Sequence, residues 1–93
     1  MMLADRGLIP EVEVLLDQLA NSRSHERRIE AIKALPRKHS LQIREALIGR
    51  LTDAHPDVIR EANLALCETY HRVLPAYPSH WRQHFATNTL AVD

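Results

Sequence analysis

Leu51-Thr52-Asp53-Ala54-His55-Pro56-Asp57-Val58-Ile59-Arg60-Glu61-Ala62-Asn63-Leu64-Ala65-Leu66 is the stretch on which the fold turns. Asp53 to Asp57 reads as a turn of short polar residues, and Pro56 has the fixed φ that suits the first turn of a helix. The helix that follows is expected to run to about Val73. Val58, Ile59, Ala62, Leu64, Ala65, Leu66, Cys67, Tyr70, Val73 and Leu74 leave little of its circumference polar. A helix apolar nearly all round is covered on several sides. This one therefore belongs at the centre of the molecule, packed on the helix before it and covered by the one after it.

The chain on either side reads as helix too. Ser40 can cap a third helix whose Ile43, Ala46, Leu47 and Leu51 face inward. Before it, Ile29, Ile32 and Leu35 form one stripe of a second helix that Pro36 stops. Asn21-Ser22-Arg23-Ser24 is a turn with a capping serine. Ahead of that turn, Pro10 opens a first helix with Val12, Leu15, Leu16 and Leu19 at i, i+3, i+4 and i+7. Pro75 and Pro78 bracket a loop, after which Ser79 can cap a last helix carrying Trp81 and Phe85 at i, i+4. The expectation is an all-α domain of about five helices, with Trp81 and Phe85 as its terminal cap.

Self-comparison exposes a repeat. Leu15-Leu16-Asp17-Gln18-Leu19-Ala20-Asn21 aligns with Leu47-Ile48-Gly49-Arg50-Leu51-Thr52-Asp53 at an offset of 32 residues. Past the turn, Glu30-Ala31-Ile32-Lys33-Ala34-Leu35 aligns with Glu61-Ala62-Asn63-Leu64-Ala65-Leu66 at an offset of 31. Each unit is two helices with a short link, the antiparallel hairpin expected of a stacked helical repeat. One domain over residues 1–93 then divides into repeat one (10–36), repeat two (40–74) and a C-terminal helix (79–90).

The second unit, with its leucine, turn aspartate, proline and then Val-x-Arg-x-Ala-x-x-Ala-Leu, resembles a HEAT-like repeat. The resemblance spans about residues 11–74. It implies a short right-handed α-solenoid, and it implies that a turn aspartate and a second-helix arginine pair between neighbouring repeats as a ladder. The positions that match are Asp53 and Arg60. Repeat one departs from the pattern, with Asn21 at the aspartate position and Ile29 where the arginine would stand. Members of the family usually serve as protein-binding scaffolds, with some nucleic-acid-binding and enzymatic relatives, so the resemblance implies a class and not a task.

Composition narrows the class. A chain of 93 residues buries only about 60–65% of its unfolded surface, so it folds around one modest core. Two repeats are also few, since such units generally need about three to close a core. A capping helix or self-association is then needed to cover the open end. With a single cysteine, Cys67, no internal disulfide forms, and a reducing compartment is the natural expectation. No apolar run approaches the ~20 residues needed to cross a bilayer, and Met1 to Pro10 carries no apolar signal core. The expectation is a cytoplasmic protein without a membrane partner.

The net charge is zero but unevenly spread. Residues 1–21 hold one basic and four acidic side chains, and residues 51–93 hold three and five. Residues 22–50 hold eight basic against three acidic. This island supplies the candidate partner-binding set of Arg23, Arg27, Arg28, Arg37, Lys38 and Arg44. It can be a solvated face, a patch for an acidic protein surface, or a phosphate-binding surface for nucleic acid. Overall neutrality and the lack of an aromatic residue within the island disfavour the last.

Two further constellations bear on chemistry. Cys67 and His71 are i, i+4, as are His80 and His84, so two antiparallel helices could bring them together as zinc ligands. The weightier reading makes Cys67 a small buried hydrophobe and the histidines surface residues, so no metal is assigned. Catalysis has no support from a phosphate-cradling glycine loop or a nucleophile elbow. Cys67 lies in an apolar helix, where a thiol is inert. The sequence thus points to a small adaptor without enzyme activity or cofactor. It would bind a protein, including its own copy, through helix faces and the basic island, with a nucleic-acid-binding accessory protein as the alternative.

Overall fold

The computed structural model of the chain describes residues 10–92, with side chains through residue 87. The reading of the first nine residues lies outside the described part. Five helices follow in order: α1 (Pro10–Asn21), α2 (His25–Ala34), α3 (Leu41–Gly49), α4 (Pro56–Tyr70) and α5 (Pro78–Val92). Among the described residues there is no strand, and no helix is long and apolar enough to cross a membrane.

Local chemistry sets the boundaries. Ser24 and Ser40 hold extended backbone, and their hydroxyls accept from the N–H groups of Arg27 and Ile43 respectively. Each satisfies one of the donors that a helix start leaves orphaned. His55 does the same for α4 with an imidazole, whose Nδ1 accepts from Asp57 N–H at 3.1 Å. That ring stacks face to face on His25, the first residue of α2, with centroids 3.8 Å apart. Between α3 and α4, residues Arg50–Thr52 tighten into a 3-10 turn that keeps Leu51 buried.

Two boundaries differ from the expectations. The last helix starts at Pro78, so Ser79 falls inside its first turn and the Tyr77 carbonyl accepts from His80 and Trp81. Helix α4 stops at Tyr70, short of Val73, because His71 adopts the left-handed conformation (φ 55°, ψ 45°). The Cys67 carbonyl then takes the His71 and Arg72 N–H groups, and Val73 emerges 94% exposed. A side chain in that conformation is strained by its Cβ, whereas glycine is not. Since His71 is exposed, His71→Gly is expected to raise stability by about 0.5–1 kcal/mol, read from the midpoint of thermal unfolding. An unchanged or lower midpoint would show that the imidazole makes a contact worth as much as the strain.

Packing links α1 to α2 and α3 to α4, and it also sets α2 against α4, α1 against α3 and α3 against α5. One layer is α1, α3 and α5; the other is α2 and α4. The described body measures 38 × 37 × 17 Å. Its thin dimension suits two layers, since packed helix axes lie about 8–10 Å apart and each Cα cylinder adds about 2.3 Å. Leu19, Ile32, Ile43, Leu47, Ile48, Val58, Leu66 and Trp81 fill the space between. Each such aliphatic side chain contributes roughly 1.5–3 kcal/mol through removal from water. Helix α4 is central, with Val58, Ala62, Ala65 and Leu66 fully buried, although Leu64 stays half in solvent.

Candidate functional site

The basic island divides in two. Arg28 on α2 turns inward, with its side chain 12% exposed. Its Nε and Nη2 donate to the two oxygens of Asp53 at 2.9 Å each, and its Nη1 donates to the Ser22 carbonyl at 2.8 Å. Asp53 is 2% exposed and also accepts from Arg50 Nη1 (3.2 Å) and from the His55 N–H (2.9 Å). Burial alone would raise its pKa. The Arg28 bond, the His55 N–H and the charges of Arg28 and Arg50 outweigh that and hold it below the ordinary 3.8. One carboxylate thereby ties together the first turn, α2 and the entry to α4.

Arg37 and Arg44 are also engaged. Arg37 Nη1 donates to the carbonyls of Ile32 (3.0 Å) and Leu35 (2.8 Å), satisfying acceptors at the end of α2, and its Nε pairs with Glu68 of α4 at 2.9 Å. The Arg44 guanidinium lies over the Phe85 ring, 4.2 Å from its centroid. Lys38 is exposed. Arg23 and Arg27 are exposed as well, and among the described residues neither side chain is bonded. Three of the six candidate arginines and lysines therefore hold the fold, and Arg23 and Arg27 stand open at the start of α2.

Asp53 and Arg60 are not joined to each other. Arg60 bonds Asp57 on its own helix at 2.6 Å, in solvent, while Asp53 is held by Arg28. The offset of 32 residues, carried past the turn, sets Arg28 opposite Arg60; the offset of 31 sets Ile29 there instead.

Trp81 is fully buried, and its indole Nε1 donates to Asn63 Oδ1 on α4 at 2.7 Å. The Asn63 amide donates in turn to the Leu74 carbonyl at 3.0 Å. Asn63 thus fastens both the last helix and the loop leading to it. Phe85 meets Tyr70 edge to face (4.7 Å), and His39 stacks on Tyr70 as well (4.6 Å). Burial pushes the Tyr70 phenol above its ordinary 10.0, against the pull of the neighbouring Arg44.

The metal candidates are dispersed. Among the described residues no three His, Cys, Asp or Glu side chains are placed to hold a metal ion. Cys67 is half-buried against the core, His71 caps α4 in solvent, and His80 tilts against Tyr77. His84 lies beside Trp81 and Phe85, where burial and then the charge of Arg72 hold it below its ordinary 6.5.

Among the described residues, a groove of about 330 Å³ lies where α3 and α5 meet. Ile48, Phe85 and Ala86 form its apolar floor, and Arg44, Glu45 and Arg82 its charged rim. Arg82 Nη1 reaches across to Glu45 Oε1 at 2.9 Å. Comparison with known protein families, characterised proteins and solved structures gives no match. The groove is at the small end of ligand-pocket volumes, about 300–1,000 Å³, and open. Its lining sets an arginine stacked on an aromatic ring beside aliphatic surface. Arg82 and Glu45 were not distinguished in the sequence, because residues 37 positions apart meet only once α5 has docked on α3.

Proposed function

We propose that this chain is a small non-catalytic interaction module, a short right-handed α-solenoid of two HEAT-like antiparallel hairpins closed by a C-terminal helix, which binds a protein through helix faces. The hairpin reading is supported by the packing of α1 on α2, of α3 on α4, and of each helix on its counterpart in the other unit. It is also supported by the Arg28–Asp53 pair, which joins neighbouring units as the ladder of that family does. The observation that carries the binding reading is the groove between α3 and α5, where cations and apolar side chains share an exposed face. Single exposed apolar residues mean little, but an apolar floor rimmed by charge is a usual setting for protein contact.

Apart from the groove, Arg23 and Arg27 are the cations of the island that stand open at the start of α2, and they offer a second contact on that side. Affinity capture from the native host, comparing the wild-type chain with Arg23→Glu/Arg27→Glu and with Arg82→Glu, tests the reading. At least one specific partner is expected to be lost from a variant that remains helical. An unchanged set of captured proteins for both variants would overturn it. So would tight binding to DNA or RNA that falls steeply with salt, which would make phosphate contacts the function of the same cations.

A further inference from the structure

We propose that the groove between α3 and α5 is the dock for a second copy of the chain, entered by the acidic outer stripe of α1. The proposal rests on the interaction-module reading and gives it a specific occupant.

The groove favours a carboxylate next to an apolar group. Two guanidiniums face one carboxylate there, so the rim carries a net positive charge. Arg44 is held in place by its stack on Phe85, which lowers the ordering cost of using it. Arg82 is 54% exposed and spends one of its five N–H donors on Glu45. The Nε–H of Arg44 is buried with no acceptor, and Glu45 Oε2 stands 4.0 Å from it. A carboxylate arriving on Arg82 would release Glu45 to close on that orphaned donor. An incoming apolar side chain would rest on Ile48, Phe85 and Ala86.

The first helix presents that combination. Glu11, Val14 and Asp17 recur at i, i+3 and i+6 on one exposed stripe, with Val14 56% exposed, and α1 contains no basic residue. Stripe and groove are carried by the same layer, α1, α3 and α5. Two protomers related by a twofold axis would then each seat a stripe in the other's groove, a reciprocal and closed contact. The neutral chain sets no net repulsion against its own copy.

Sedimentation velocity on the full chain across the micromolar range tests this. A monomer–dimer equilibrium is expected, weakening as salt is added, since its charges lie at a solvent-exposed rim. Glu11→Arg/Asp17→Arg and, separately, Arg82→Glu are each expected to raise the dissociation constant by on the order of a hundredfold, because like charges then meet across the interface. Mixing the two variants restores a dimer, since in the mixed pair the reversed stripe meets the reversed groove and the native stripe meets the native groove. Circular dichroism checks that both variants remain helical. If Arg82→Glu detaches α5, the α1 variant carries the test alone, because Glu11 and Asp17 are exposed. A wild-type monomer at every concentration, a dimer indifferent to both reversals, or growth beyond two copies would overturn the proposal. The first of these leaves the interaction-module reading standing if the capture experiment still loses a partner.

Discussion

Trp81→Ala is expected to lower the unfolding free energy by about 3–5 kcal/mol, the usual cost of emptying a fully buried large aromatic site. A domain of this length has in all roughly 0.05–0.15 kcal/mol per residue, so the loss removes a large share of its stability. The indole fills the space between α5 and α4, and its N–H is the bond that Asn63 Oδ1 accepts. Trp81→Phe separates the two contributions. It keeps most of the apolar contact but leaves the Asn63 oxygen without its donor, which costs about 1–3 kcal/mol where water cannot replace it. Urea unfolding of the three proteins measures both steps. A loss below about 1 kcal/mol for Trp81→Ala would mean that the last helix does not hold the stack closed.

The second large effect is at Asp53. Asp53→Ala leaves Arg28, almost wholly out of solvent, facing no carboxylate, and takes the partner of Arg50 as well. Breaking a buried pair from one side costs about 3–5 kcal/mol, chiefly the charge left behind. Arg60→Ala is the control. Its pair with Asp57 is the shorter of the two but lies in solvent, so its removal is expected to change stability by at most about 1 kcal/mol.

Acid provides a second readout of the same group. Because Asp53 is held below its ordinary 3.8 in the folded state, its contribution is complete above that value. It is lost progressively as pH falls from there through the depressed folded value. Asp53→Asn is therefore expected to flatten the acid limb of stability against pH below about 4, measured by denaturant unfolding at a series of pH values. An acid limb as steep as that of the wild type would show that other carboxylates govern it.

The legible and illegible parts of the fold have different physics. Prolines, capping serines and apolar spacing act within a few residues, so Pro10, Ser40 and Pro56 mark helix starts that the structure places within a residue, and of the two serines in the first turn it is Ser24 that caps α2. The roles of the arginines were hidden because burial depends on what lies across the fold. Arg28 and Arg27 are neighbours on one helix, and only the position of Asp53, 25 residues on, decides that the first is a strut and the second is exposed. Asn63 was hidden for the same reason. A lone amide in an apolar helix names no partner until the indole and the Leu74 carbonyl converge on it. His71 was invisible in another way, since a histidine where glycine usually ends a helix gives no stop signal.

The slab is only 17 Å through, which leaves an interior one side chain deep. Such a molecule cannot keep its core apart from its surface. Ile48 belongs to the packed interior and to the groove floor at once, and Phe85 supports Tyr70 on one side while lining the groove on another. Occupancy of the groove and persistence of the fold are therefore thermodynamically linked. Whatever settles between α3 and α5 acts as a missing piece of core, and the tighter it binds, the further it shifts the chain toward the folded state.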